Sequence, residues 1–234
     1  MKKTILALAI AAAFVPSLAM AEAGDIVVRL RAAHINASED SSLGKYVARN
    51  IAAGLQPTGA ELEVDSNTIP EIDFSYYITK NIAAELILAT GTRHDVNIHK
   101  ATNTAAVPNQ NLGSVNLLPP TLTIQWHFMP DQMFDPYLGA GVNYTLFMDN
   151  HLNIRQGAVP GAKIKTDRSS FGLALQAGFD VNLKDGWLIN ADLKKVWIDT
   201  DVKLRNPLAG NVWTKIDDLD IDPWVIGIGV GKKF

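Results

Sequence analysis

From residue 25 onward, apolar and polar side chains alternate with a period of two, the signature of strands rather than helices. Eight segments carry it: about 25–35, 69–79, 81–92, 114–129, 135–148, 169–184, 186–200 and 213–233. In the sixth, Phe171, Leu173, Leu175 and Phe179 share a row opposed by Gly172, Gln176, Gly178 and Asp180. The eighth sets Trp224, Ile226, Ile228 and Val230 against Val225, Gly227, Gly229 and Gly231. Periodicity alone does not say which row is inside. A row so rich in glycine and poor in charge makes an implausible solvated exterior, so the large apolar row is assigned to lipid. A soluble barrel would invert the two. The helical text is confined to about 41–54, between the first two strands.

The connections alternate in length. Thr79-Lys80-Asn81, about seven residues from Pro130, and Lys184-Asp185-Gly186 are short; 36–68, 93–113, 149–168 and 201–212 are long. An outer-membrane barrel has this layout, with short periplasmic turns and long extracellular loops. The expected fold is all-β, an eight-stranded antiparallel transmembrane β-barrel with both termini periplasmic. Trp126, Phe128, Phe179, Trp187 and Phe234 fall at the periplasmic strand ends, and Trp197, Trp213 and Trp224 near the other, as interfacial belts require.

The N-terminus sets the compartment. Lys2 and Lys3 precede the uncharged run Ile5 to Val15, and Ala19-Met20-Ala21 reads as a cleavage site. Residues 1–21 are therefore expected to be a cleaved signal peptide and 22–234 the barrel. The run is too short for a span, which needs about 20 apolar residues. No later run is long enough either, so membrane insertion must proceed as a closed barrel. Without Lys2 and Lys3 the chain has 19 basic and 24 acidic side chains, from totals of 21 and 24. That balance does not suit nucleic acid. The chain has no cysteine, which excludes a disulfide framework and a thiol nucleophile.

The fourth segment contains an anomaly. NLLPPTLTIQWHF (116–128) alternates regularly, yet Pro119 and Pro120 stand at its head, and proline donates nothing to a ladder. Successive N–H groups point to alternate neighbours, so the pair removes one donor toward the third strand and one toward the fifth. Gly91, at the end of the third strand, lies across the hairpin from that region. A wall opening between these strands and a rim bulge are the two readings.

LLPPTLTIQW (117–126), PYLGAGVNYTLFMDN (136–150), GWLIN (186–190) and DPWVIGIGVGKKF (222–234) together resemble the OmpW family of small outer-membrane barrels. The resemblance runs over essentially the whole chain after the leader and is weakest in the extracellular loops. It implies eight strands and passive inward passage of small hydrophobic molecules; relatives include alkane-uptake proteins. It also implies insertion by the barrel-assembly machinery through the terminal Phe234. Two positions depart from the pattern: Lys232 stands where an aromatic is usual, and Gly91 where relatives often carry proline.

Inward positions sort by depth. Toward the periplasm Arg29, Glu85, Gln125, His127, Asn143 and Asp192 are expected to form a polar plug, with Asp73, Glu85 and Asp192 as partners for Arg29 and Arg31. Unpaired charges there would cost several kcal/mol each. Toward the outside Ile87, Leu117, Phe147, Val196, Ile198 and Val225 make an apolar path open to the exterior. A hydrophobic solute could not easily cross the plug, so its exit would be sideways at Gly91, Pro119 and Pro120, into outer-membrane lipid. The alternative is a non-conducting barrel whose loops bind partners. No enzyme signature emerges: His94, Asp95, His99 and Ser114 have no spacing that specifies a nucleophile and base. The five-residue spacing of His94 and His99 fixes no metal geometry. No metal or cofactor is expected.

Overall fold

The computed structural model describes residues 21–50, 59–89, 92–99, 108–149, 151–156, 161–207 and 210–234. The expected leader, apart from Ala21, and Gly91 lie outside the described residues.

In chain order the first elements are β1 (Ile26–Asn36), β2 (Asp40–Ser41), α1 (Leu43–Asn50), β3 (Glu61–Val64) and β4 (Asn67–Tyr77). Then come β5 (Ile82–Ala89), β6 (Thr92–His99), β7 (Gln110–Leu118), β8 (Thr121–His127) and β9 (Phe134–Asp149). The last are β10 (His151–Asn153), β11 (Lys163–Thr166), β12 (Ser169–Asn182), β13 (Trp187–Val196), β14 (Asp199–Arg205), β15 (Trp213–Asp220) and β16 (Trp224–Lys233).

Eight of these strands close on themselves, in the order β1, β4, β5, β8, β9, β12, β13, β16 and back to β1, every pairing antiparallel. At the seam Ile26 N–H donates to Phe234 O at 3.1 Å and Phe234 N–H to Ile26 O at 2.8 Å. Closure leaves the barrel no free edge, the condition for strands to cross a bilayer. Short turns and both described chain ends share one rim, the periplasmic one by the loop-length rule. One such turn, between β12 and β13, holds Asp185 (φ 57°) and Gly186 (φ 75°), the left-handed pair that tight hairpins favour.

The long connections are corrected in character: much of their described length is strand. β3, β6 and β7 extend the wall outward, and β10, β11, β14, β15 and β2 form a second five-stranded sheet above it. The segment expected at 213–233 is two strands, β15 above and β16 in the wall, broken at Ile221-Asp222-Pro223. The seventh segment likewise ends at Val196 and restarts at Asp199. α1 lies within the helical stretch expected at 41–54; Ser42 at its head donates its N–H to Asp217 Oδ1 at 2.6 Å.

The rows face as the alternation requires. Leu30, Leu173 and Ile228 are 59%, 61% and 62% exposed, values tolerable for a contiguous band only in lipid. From Trp224 to Phe234 the strand climbs about 33 Å, or about 25 Å along the axis at a 40° tilt, matching a lipid-facing band. Trp197 and Trp224 mark the outer edge. Trp213 does not: it stands at the far end of β15, about 23 Å along the strand from Asp220, in the extracellular sheet. Lys232, the departure from the family pattern, pairs with Trp187, and its Nζ lies 5.3 Å from the indole centroid. Its stem thus covers an aromatic surface at the rim while the ammonium reaches polar surroundings.

Inward glycines make room for the lumen's long side chains. Arg29 pairs with Gly231 and Arg31 with Gly229. A Cβ at Gly229 would stand 2.1 Å from Leu30 O and 2.7 Å from Arg31 Cα, so the two backbones approach too closely for any side chain. Gly229→Val is expected to abolish closure, read as loss of the heat-modifiable folded band after refolding into vesicles. Ile228→Val, on the lipid face, should fold at wild-type yield. Equal yields for the two would show that the close approach is not required.

Candidate functional site

The lower lumen is a buried charge network. Arg29, on β1, donates through Nη2 to Asp180 Oδ2 at 2.6 Å and through Nη1 to Ser75 Oγ at 2.6 Å, with Glu85 at 3.4 Å. Arg31, one pleat outward, lies 2.9 Å from Glu71, 2.6 Å from Asp73, 3.3 Å from Glu85 and 3.7 Å from Asp192. Lys194 reaches Glu71 at 2.7 Å and Asp192 at 3.0 Å. Gln125 and Gln176 each donate to Glu85 at 2.8 Å, and Tyr137 OH donates to Asp192 at 2.9 Å. Nearer the periplasm His127 Nδ1 lies 2.7 Å from Asp135 and 3.3 Å from Tyr77 OH. His127, Asp135 and Asp180 come close enough for one ion. Asp180, however, is already held by Arg29 and Asn190, so this is a plug rather than an open ligand set.

Arginine suits this position because its planar fork meets several carboxylates at once and it cannot shed its charge. Isolated charges would not survive here: Arg29, Glu85 and Asp180 are held by hydrogen bonds as well as Coulomb attraction, whereas Asp73 rests on its ion pair with Arg31 alone.

Above the plug is an apolar cavity of about 60 Å³. Ile87, Val196, Ile198, Val225, Ile35 and Ile69 wall it, and Glu71, Lys194, Thr121 and Asn143 floor it. Leu117 and Pro119 stand at one side, and Val64, His94 and Ile221 cover it. Higher still, Leu62, Val96, Val115, Phe147, Leu152 and Leu219 pack into a continuous core.

Among the described residues, the pairing register changes beside Pro119. β5 and β8 pair in register up to Ile87 opposite Thr121. The next pair among the described residues on that side is Thr92 opposite Leu117, one residue out of step. Among the described residues no ladder pair joins the two sides in between. Thr92 bridges the edge with its side chain: Oγ1 donates to Leu117 O and accepts from Leu117 N–H at 3.1 Å. Toward β9 the register holds through the prolines, from Thr121 opposite Asn143 to Leu118 opposite Leu146, and Tyr144 N–H donates to Pro120 O at 3.0 Å. The defect is therefore one-sided, on the flank facing β5 and β6.

The structure brings most of the sequence-derived residues together, though not all in the expected company. Arg29, Glu85, Gln125 and Asp192 join one network, with His127 at its lower end. Asn143 does not: its amide donates to Pro119 O and Pro120 O at 3.3 Å each and to Thr121 Oγ1 at 2.8 Å. It fixes the proline segment from inside. Phe147 belongs to the packed core above the cavity, while the other five path residues line the cavity itself. Glu71, Lys194, Tyr137 and Gln176 were missed as plug members. Plain alternation marks them, since Glu71 lies two residues before Asp73 and Lys194 two after Asp192. His94 is buried, and its Nδ1 donates to the backbone carbonyl of Asp65 at 2.8 Å, so it does not sit in a solvated loop.

A closed wall of eight strands, a lipid-facing apolar band between aromatic belts and a lumen filled by its own side chains define a small outer-membrane β-barrel. The family model described as the OmpW family matches residues 22–234, and the chain belongs to that family. Outer membrane protein W of Vibrio cholerae is 34% identical over 239 aligned residues, covering 100% of each chain. The uncharacterized outer-membrane protein y4mB of Sinorhizobium fredii is 42% identical over 176 residues, 75% of this chain and 70% of that one. The crystal structure of the outer membrane protein OprG from Pseudomonas aeruginosa superposes with a TM-score of 0.73 at 32% identity, covering 91% and 97% of the two chains. The protein is thus an outer-membrane barrel of a Gram-negative bacterium, seated in membrane lipid.

Proposed function

We propose that the barrel is a non-enzymatic channel for small hydrophobic molecules, which gather in the apolar upper lumen and leave sideways into the outer leaflet. The observation that carries this reading is the coincidence of cavity and wall defect. Pro119 lines the cavity and also heads the strand where pairing with the neighbouring wall lapses. Below, the charge network blocks a solute that carries no charge of its own. The remaining way out is lateral, through Gly91, Pro119 and Pro120. A cavity of about 60 Å³ has room for only a few water molecules, so a solute passes by displacing Val64, Ile221 and the core above them. Phe234 offers the assembly machinery an exposed C-terminal aromatic.

The second reading, a non-conducting barrel acting through its extracellular part, is favoured by one observation: the upper lumen is packed by a continuous apolar core. Uptake of a radiolabelled alkane by cells with and without the protein separates the two. Wild-type uptake in the deletion strain would sink the channel.

A further inference from the structure

The outward face of the extracellular sheet carries chemistry that a channel does not use. Lys163 on β11 pairs across from Arg205 on β14, Arg205 pairs across from Trp213 on β15, and Lys165 pairs with Lys203. Their chain neighbours Ile164, Val202 and Leu204 are buried. Alternation therefore turns the cations and the indole away from the barrel axis. Lys165 Nζ lies 4.3 Å and Arg205 Cζ 5.0 Å from the Trp213 ring centroid, within cation–π reach.

The neighbouring cations Lys203 and Lys215 are neutralised: Lys203 by Asp167 at 2.5 Å and Asp201 at 3.5 Å, Lys215 by Asp201 at 2.7 Å and by Asp218. The cations around Trp213 are not. Among the described residues no carboxylate lies within ion-pair distance of Lys163, Lys165 or Arg205. Like charges set directly opposite in an antiparallel pair oppose its formation. Such a cluster in a chain of net charge −3 is a local conflict of the kind that marks a binding surface. Val212, exposed beside Trp213, adds apolar surface to the cations.

We propose that this patch binds the phosphorylated saccharide of the surrounding outer-leaflet glycolipid. Lysine and arginine supply charge-assisted hydrogen bonds to phosphate, and the indole face takes the apolar C–H face of a sugar ring. Position selects the source. β14 follows β13 after a two-residue break, and eight residues at the strand rise and wall tilt put Arg205 about 20 Å above the membrane edge at Trp197, on the face turned away from the barrel axis. A sideways face at that height meets the sugar layer of neighbouring lipids. Lower down, Asp199 faces Asp220 across the same two strands, so the cations are confined to the sugar level and withdrawn from the headgroup level. The inference stands whether or not the lumen conducts.

The test is binding of the refolded full-length barrel to immobilised lipopolysaccharide, native or enzymatically dephosphorylated. The wild type should bind the native lipid, more weakly as salt rises. Lys163→Gln/Lys165→Gln/Arg205→Gln should lose at least about tenfold, and Trp213→Ala about threefold. Lys203→Gln/Lys215→Gln should change affinity less than about twofold, since those cations are already paired. Dephosphorylation should bring the wild type down to the triple variant. A second readout guards against a misfolded variant: native lipopolysaccharide should raise the melting temperature of the wild type and leave the triple variant's unmoved, while without ligand the triple variant melts no lower. Equal binding by wild type and triple variant, indifference to dephosphorylation, or tighter binding of heparin than of lipopolysaccharide overturns the proposal.

Discussion

Replacing Pro119 with Val and Pro120 with Thr should cut uptake of a hydrophobic solute about tenfold while leaving the barrel close to its original stability. The substitutions restore two backbone donors. One can close the lapse between Ile87–Thr121 and Thr92–Leu117, and a ladder bond contributes about 0.5–1.5 kcal/mol net. Against this, each lost proline frees the unfolded chain, at about 0.4–1 kcal/mol. The two effects are of similar size, so stability is a poor readout here and transport a sharp one. Asn143 adds an internal control. Its amide holds both proline carbonyls from the lumen side, so Asn143→Ala should loosen the segment without restoring a donor, and uptake should hold or rise. Unchanged uptake by a correctly inserted Pro119→Val/Pro120→Thr variant would remove the lateral route.

Fold and site were legible to different depths. The period of two identifies the wall because each barrel strand has one face on lipid and one on the lumen, and Leu173, Ile226 and Leu138 lie where that rule puts them. The extracellular strands were harder to see. β11 reads KIKT and β14 DTDVKLR, short runs between turns whose outward residues are charged rather than apolar, so they resemble loop. The breaks at Trp197-Ile198 and Ile221-Pro223 were hidden for a related reason. Alternation continues across them, since the inward face changes partner sheet without changing character. Within the lumen, alternation says that Asp192 and Arg31 point inward but not that they meet. Partner choice depends on the shear that brings β1 beside β16 and across from β13, and that is a property of closure rather than of any local stretch. Asn143 shows the same limit. Its row was evident, but its attachment to Pro119 and Pro120 depends on the register between β8 and β9.

Arg31→Met should cost about 3–5 kcal/mol, the largest stability effect of removing any one charge from the lumen. Arg31 is buried, and four carboxylates converge on it: Glu71, Asp73, Glu85 and Asp192. With Asp180, the network holds five carboxylates against three cations, Arg29, Arg31 and Lys194. Methionine fills similar volume, so the loss is electrostatic and not a cavity. Removing one cation leaves five acids facing two bases where water cannot help. If that imbalance is the cause, neutralising the acids should repair it: Arg31→Met/Asp73→Asn/Glu85→Gln should recover about half the loss, whereas Arg31→Lys recovers less because a point charge cannot fork between Glu71 and Asp73. Denaturant unfolding in lipid vesicles measures each step. An Arg31→Met barrel within about 1 kcal/mol of wild type would mean that the excess carboxylates hold their charge by other means. The plug would then be a weaker barrier than its geometry implies, and a path straight down the lumen, read as raised single-channel conductance in a planar bilayer, would displace the lateral exit as the route for solutes.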